Sequence, residues 1–306
     1  MTQITAAMVK DLREQTGAGM MDAKKALEEV NGDMDAAVDL LRQKGMAKAE
    51  KKSSRTAAEG LVGFAIDGTK GAVVEINSET DFVARNEKFQ DFVTKVSDLA
   101  LANDELEALK SADYGNGKSV SDTLTDLIAT IGEHMTIRRV ESLSVSSGAV
   151  VGYMHNSLAG NLGKIGVLVA LESEGDEAKL QTLGKQIAMH VAAAFPQYLD
   201  RDSVDASAIE RERTVLIDQA KEEGKPQEIA EKMVEGRMRK FYGEICLLEQ
   251  VFVIDNETRI SDLLETAAAD VGAPVKLTGF ARVQLGEGIE KEEEDFAAEV
   301  AKVANA

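Results

Sequence analysis

The chain has 306 residues and a formal net charge of −19 at pH 7. Because this charge repels phosphate backbones, direct binding to nucleic acid is not expected. The length is more than one hydrophobic core usually serves, so several folded units are expected. The single cysteine, Cys246, excludes an internal disulfide framework and lies in an apolar run that is typical of a buried side chain.

The N-terminal residues have neither a basic stretch nor an uninterrupted apolar run, so they do not resemble a secretory signal. No later segment is apolar over the roughly 18 residues that a membrane-spanning helix requires. The sequence therefore predicts a cytoplasmic protein without a membrane contact.

The first 55 residues predict a helical bundle followed by a basic linker. Ile4, Met8 and Leu12 recur at helical spacing, and further helices are expected over residues 20–30 and 34–43. Three short helices in this order resemble a ubiquitin-associated-type bundle. Lysine and arginine then replace the apolar pattern, which indicates either a linker or an exposed extension of the third helix.

Two later stretches have the same order of predicted elements. Apolar alternation over residues 61–66 and 72–76 predicts a β-hairpin, and the next helix has one apolar face formed by Phe89, Phe92, Val93, Val96 and Leu99. Strands over 150–154 and 166–171 and a helix over 179–195 repeat this plan. Returning strands near 136–140 and 279–285 would complete the two copies.

The second copy contains a charged insertion with Gly224, Lys225 and Pro226 at its middle, which predicts two antiparallel helices. The chain ends in an acidic cluster followed by a predicted helix that has Phe296, Val300 and Val303 on one side.

Together these patterns predict an α+β protein with a three-helix bundle, two related α/β core subdomains, an inserted antiparallel helical hairpin and a C-terminal helix. The predicted boundaries are 1–55 for the bundle and basic linker, 56–142 for the first core subdomain, 143–207 with 242–285 for the second, 208–241 for the hairpin, and 286–306 for the C-terminal module.

Motifs for bound phosphate, metal and nucleophilic catalysis are weak. A phosphate loop ending at Lys118-Ser119 would need glycine where Ala112 stands. His134, His155 and His190 lie far apart, so a metal site would need carboxylates from unrelated segments. No cofactor, metal site or catalytic residue is therefore predicted, although a dispersed catalytic site stays open.

The segment 77–83 ends a predicted strand and places Asp81 beside Phe82 before the next helix. One interpretation makes Thr80 or Asp81 the helix cap and Phe82 a core residue. The other presents Asp81 and Phe82 to a partner.

Two short segments carry a resemblance to a known family. The sequence TGAGMMD at 16–22 with KKAL at 24–27, followed by TDFV at 80–83, is similar to signatures of the elongation factor Ts family. Further similar segments are 131–133, 137–140, 187–192 and 224–241, so the resemblance covers essentially the whole chain. Ala23 and His134 depart from the residues common there, Cys and Asn, but neither lies in TDFV.

The resemblance implies a guanine nucleotide exchange factor, without enzymatic activity, that binds elongation factor Tu carrying GDP. It implies that Thr80, Asp81, Phe82 and Val83 disturb the partner's Mg²⁺ and phosphate site and so promote GDP release during translation. The other partner contacts that it implies are Arg13, Met20, Met21, Lys24, Ile131, Gly132, His155, Val253 and Ile254. For Met20 and Met21, ordinary packing inside the bundle is the alternative.

Two other functions compete with exchange. One is a helical protein-binding adaptor without exchange activity, and the other is an acidic enzyme with a dispersed site. The sequence also leaves open whether the helical hairpin joins two copies into a homodimer or a 2:2 complex with the partner.

Overall fold

The computed structural model describes residues 3–115, 117–224 and 227–290. Helices and antiparallel sheets follow one another along these residues, which confirms the predicted α+β class. Lys225 and Pro226 of the predicted hairpin tip lie outside the described residues, and so does the predicted last helix with Phe296, Val300 and Val303.

The N-terminal bundle consists of α1 (Ala6–Thr16), α2 (Met20–Glu29) and α3 (Met34–Lys52). The Thr5 side chain caps α1 by accepting a hydrogen bond from the backbone nitrogen of Met8 at 3.2 Å. Mostly small side chains fill the bundle core, which lets the helices approach closely: Val9, Leu12, Ala23, Ala26, Leu27 and Ala37.

The third helix is longer than predicted. It continues past residue 43 to Lys52, so the basic segment is largely a helical extension and not an irregular linker. The extension packs against a later helix, where a Cβ on Gly45 would lie 3.3 Å from the side chain of Ala129. This tertiary contact stabilises a helical segment whose own apolar pattern is weak.

The first sheet has the strand order β5-β2-β1-β7. Strands β1 (Glu59–Asp67) and β2 (Lys70–Ser78) form the predicted hairpin, and β5 (Met135–Ser144) pairs with β2. The short β7 (Leu162–Gly163) pairs with β1. Helix α4 (Glu87–Ala100) buries Phe89, Phe92, Val93 and Val96 in the core of this unit, and Leu99 packs at its margin.

Between α4 and β5 lie α5 (Leu106–Ser111), β3 (Asp113–Gly115), β4 (Lys118–Ser119) and α6 (Val120–Ile131). Ser119 caps α6 through a reciprocal bond with Asp122, and Lys118 pairs with Asp126 at 2.5 Å. Ser119 therefore starts this helix, and Lys118 pairs with a carboxylate of the same helix.

The second sheet has the order β6-β8-β9, formed by β6 (Gly148–His155), β8 (Ile165–Glu172) and β9 (Lys276–Gln284). Helix α7 (Glu177–Ala194) follows its hairpin. In both units a hairpin is followed by a helix, and a later strand joins beside the second hairpin strand. The predicted repetition is confirmed at the level of strand order.

The insertion is an antiparallel pair of helices, α8 (Ala206–Glu222) and α9 (Gln227–Ile245), that bury Leu216, Val234 and Met238 between them. Helix α10 (Ile260–Val271) then packs beside α7 and leads to β9.

The two sheets pack face to face, with Val62, Phe64 and Val73 of the first against Val150, Leu168, Ala281 and Val283 of the second. The two sheets approach each other closely at Gly152, where an added Cβ would lie 2.4 Å from the Phe64 ring.

A buried carboxylate also joins the two sheets. Glu75 of β2 is fully buried and accepts hydrogen bonds from Arg139 at 2.6 Å and from the backbone of Gly286 at 2.7 Å.

Candidate functional site

The segment after β2 forms an exposed turn that ends in a short 3-10 helix, Val83–Arg85. Phe82 is 75% exposed, whereas Val83 is 3% exposed and packs in the first core. The Asn86 side chain caps α4 by accepting a hydrogen bond from the Lys88 backbone at 3.0 Å. The interpretation of Phe82 as a core residue with Thr80 or Asp81 as the cap is therefore wrong, because Val83 and Asn86 occupy these roles. We call Asp81–Phe82 the tip.

Hydrogen bonds from a distant turn hold the residues before the tip. Glu133 accepts from the Thr80 backbone nitrogen at 2.9 Å and from Thr80 Oγ1 at 2.7 Å. Glu79 accepts from the backbone nitrogen of His134 and pairs with Arg55 at 3.1 Å. The start of the tip is thus tied to the connection between α6 and β5.

Two predicted contact residues lie in the same connection. Helix α6 ends at Ile131, and Gly132 adopts a left-handed φ of 88°, where a side chain would strain the backbone. Lys52, at the end of α3, donates to the Gly132 carbonyl. Glu133 follows directly and contacts Thr80, so Ile131 and Gly132 lie in the connection that is bonded to the residue before the tip.

Two titratable groups behind the tip have shifted pKa values. Burial raises the pKa of Glu79, but the His134 hydrogen bond and the nearby Arg55 and Lys52 charges hold it below its ordinary value overall. Burial lowers the pKa of His134, against the opposing charge of Glu79. At neutral pH, Glu79 is therefore a carboxylate and the His134 ring is neutral.

The N-terminal bundle has a groove of about 360 Å³ that brings together Arg13, Met20, Met21 and Lys24, with Ile4, Thr5, Ala6, Val9 and Lys10 as its other lining residues. Met20 and Met21 are 61% and 62% exposed, so ordinary packing inside the bundle is the wrong interpretation for them. They lie in the first turn of α2, and the bundle core is filled instead by the alanines and leucine behind them. The groove therefore combines apolar, adaptable side chains with basic ones.

A third exposed apolar pair, Val253 and Ile254, lies in a turn between residues 252 and 258. The turn is closed by a hydrogen bond from the Phe252 backbone to the Thr258 carbonyl at 2.8 Å. Val253 and Ile254 are 37% and 53% exposed.

A buried histidine supports this turn from below. The Val253 backbone donates to His190 Nδ1 at 3.2 Å, and His190 Nε2 lies 2.9 Å from Gln250 Oε1. Because Nδ1 accepts, Nε2 carries the hydrogen that is donated to Gln250. Burial lowers the pKa of His190, although the bond to Gln250 opposes the shift, so the ring is neutral.

Sequence reasoning missed this support. The apolar neighbours of His190 on its helix indicated a structural histidine, but nothing in the local pattern pointed to a bond with Val253. The roles of Glu79 and Glu133 were missed as well, since their partners lie 55 and 53 residues away.

His155 stands apart from the other predicted residues. It is exposed at the end of β6, and its Nδ1 lies 3.2 Å from the hydroxyl of Tyr153. Among the described residues, its side chain makes a polar contact and a ring contact with Tyr153, and neither joins it to the tip or the groove.

Within residues 3–115, 117–224 and 227–290, no group of three or more His, Cys, Asp or Glu side chains could hold a metal ion. In the same ranges no helix is long and apolar enough to cross a membrane. Burial raises the pKa of the Cys246 thiol to about 11, which keeps it protonated and unreactive at neutral pH.

The family model described as Elongation factor TS matches residues 79–287. A protein named Elongation factor Ts from Rhodospirillum centenum is 64% identical over 306 residues, which are 99% of this chain and 100% of that protein. The chain belongs to the elongation factor Ts family. The proteins of the same name from Rhodospirillum rubrum and Zymomonas mobilis are 63% and 60% identical, with 98% and 99% of both chains covered.

Membership of the elongation factor Ts family makes this chain a translation elongation factor that acts in protein biosynthesis. The family match begins at Glu79 and includes the tip, Ile131, Gly132, His155 and the 252–258 turn. The full-length relatives extend the similarity over the N-terminal groove.

Proposed function

We propose that this chain is a guanine nucleotide exchange factor that binds elongation factor Tu with GDP in the cytoplasm and promotes GDP release. The observation that carries the proposal is the exposed tip. Its acidic and aromatic side chains are presented by a segment that hydrogen bonds hold at Thr80 and core packing holds at Val83. Within a family of translation elongation factors, such a tip suits insertion into a partner.

The tip can act without chemical catalysis. A bound nucleoside diphosphate is held by backbone amides, a lysine and Mg²⁺, so displacement of the segments that position the metal removes charge stabilisation from the phosphates. In this proposal Phe82 provides the apolar wedge, Asp81 brings a negative charge beside it, and Thr80 and Val83 anchor the two ends. No covalent bond is broken, so the chain is not an enzyme.

Other surfaces would supply the binding free energy that tip insertion requires. The N-terminal groove offers flexible methionines to an apolar partner surface, with Arg13 and Lys24 available to acidic groups. Ile131, Gly132, His155 and the Val253–Ile254 pair are proposed as further contacts. Linkage then requires that nucleotide weakens binding of this chain by the factor by which the chain weakens nucleotide binding.

Stopped-flow release of fluorescent GDP from elongation factor Tu tests the proposal. Changing Asp81→Ala and Phe82→Ala together should slow release by roughly tenfold or more, the effect of losing about 2 kcal/mol of differential binding. Because Phe82 is mostly exposed, the thermal midpoint should stay near the parental value. Ile229→Ala on the hairpin, which also removes an exposed apolar side chain, is the control.

The two rivals give other results. A protein-binding adaptor would bind elongation factor Tu without faster GDP release, and an acidic enzyme would turn over a substrate without the partner. A folded double variant that releases GDP at the parental rate would contradict the assignment of the tip.

A further inference from the structure

Two glutamates link the segment before the tip to the α6–β5 connection through hydrogen bonds. Glu133 binds the backbone and hydroxyl of Thr80, and Glu79 binds the backbone of His134. Each segment therefore supplies a carboxylate to a backbone N–H of the other. We call these four residues the carboxylate clamp.

The clamp holds one end of the tip. Thr80 directly precedes Asp81, and on the other side of Phe82 the side chain of Val83 is held in the core. The Ser78 hydroxyl also donates to the Thr80 carbonyl at 3.0 Å. With these bonds in place, both ends of the two-residue tip are fixed, and Phe82 is presented to solvent from a defined base.

We propose that Glu133 and Glu79 are positioning residues that order the tip before the partner is met, an inference that rests on the proposed exchange function. A tip that is already ordered loses little conformational entropy when it inserts, whereas a loose tip must be ordered at that moment. Loss of the clamp should therefore slow nucleotide release while the docking surfaces stay intact.

The chemistry requires a carboxylate at position 133. Its two oxygens accept from two donors of Thr80, at 2.9 and 2.7 Å. A glutamine has one acceptor oxygen, and its NH₂ group would have to face one of these donors. Glu133→Gln should thus weaken the clamp at almost constant volume, and Glu133→Ala should remove this half of it.

The motion of the tip can be measured in the protein alone. The chain has no tryptophan and four tyrosines, so Phe82→Trp introduces a single tryptophan at the tip that can be excited selectively at the red edge of its absorption. Time-resolved anisotropy should show a larger nanosecond depolarisation when Glu133→Ala is added. The matched control is Glu172→Ala, which removes a carboxylate that accepts from the Ser146 hydroxyl at 2.7 Å in the second sheet. Unchanged tip motion in Glu133→Ala would overturn the clamp.

The second measurement uses the chain with Phe82 in place and records GDP release at rising concentrations of the chain. Glu133→Ala should lower the maximal release rate about tenfold, Glu133→Gln less, and the half-saturating concentration should change less than about twofold. Thr80→Val removes the hydroxyl that donates to Glu133. It should also lower the maximal rate. A thermal melt of each variant excludes unfolding as the cause.

Three results separate the possibilities. Parental release by a variant with a loosened tip would overturn the positioning role. A raised half-saturating concentration at a parental maximal rate would assign Glu133 to the docking surface instead, and would equally contradict it. If the parent chain fails to accelerate release, the proposed function fails, whereas the anisotropy still decides whether the clamp orders the tip.

Discussion

The tip at Asp81–Phe82 and the turn at Val253–Ile254 both present exposed apolar side chains, but their supports differ in charge. Two carboxylates at the edge of the first unit hold the tip. A neutral, fully buried imidazole holds the turn. The tip support can be weakened with little damage to the core, whereas the turn support is part of the core of the second unit. The comparison predicts different sensitivities to mutation and to pH.

Replacement of the buried support should have the largest effect on stability. His190→Ala leaves a cavity and removes the partners of the Val253 backbone and of Gln250, so the free energy of unfolding should fall by about 3 kcal/mol. Urea denaturation measures the change. His190→Asn, whose side-chain oxygen can accept from Val253, should lose less. An equal loss from Glu133→Ala would contradict the contrast between the two supports.

The carboxylate of the tip support and the imidazole of the turn support should respond to acid in different pH ranges. The native pKa of His190 lies below its ordinary value of 6.5, so the unfolded chain takes up a proton first and stability falls as pH drops below about 6.5. His134 adds to the same range, because burial also lowers its pKa. The native pKa of Glu79 lies below its ordinary value of 4.5, so its contribution is present above about 4.5 and is lost only below that pH.

Urea denaturation at a series of pH values between 7 and about 4 measures these two ranges. His134→Asn should remove part of the decrease that begins near 6.5 and leave the part due to His190. Stability that stays constant down to about pH 5 would contradict the neutral state of the two rings.

Removal of one bond from the tip support should have a smaller effect. Thr80→Val keeps the shape of the side chain but removes the hydroxyl that donates to Glu133 at 2.7 Å, which should cost about 1 kcal/mol of unfolding free energy. Thr80→Ser keeps the hydroxyl and should stay closer to the parent. Chemical denaturation of the two variants makes the comparison, and a larger loss in Ser than in Val would refute the role of the hydroxyl.

The outermost part of the tip support should matter least for stability. Arg55 pairs with Glu79 at 3.1 Å but its own side chain is 54% exposed. Solvent screens such a pair, so Arg55→Ala should change the free energy of unfolding by less than about 1 kcal/mol. A thermal melt at low and high salt checks this, since a loss well above that value at high salt would show that the pair is more than a screened surface contact.

Much of the architecture follows from local patterns. Period-two alternation identified the hairpins that became β1–β2 and β6–β8, and helical spacing identified α1, α4 and α7. These patterns are reliable because the side-chain period of a strand or helix is a property of the local backbone. The end of α3 could not be predicted in this way, because its extension is stabilised by packing on α6.

For the candidate site, too, some features follow from the local sequence and others from tertiary packing. The sequence by itself pointed to TDFV, the two methionines and the segment 131–132 through the resemblance of short segments to the elongation factor Ts family. Tertiary structure alone decided that Val83 turns inward while Phe82 turns outward, and that Met20 and Met21 face solvent. It also decided that Glu133 meets Thr80 and that His190 meets Val253, pairs separated by 53 and 63 residues. Such partners are chosen by the packing of whole helices and sheets, and the spacing of residues within one segment does not contain that information.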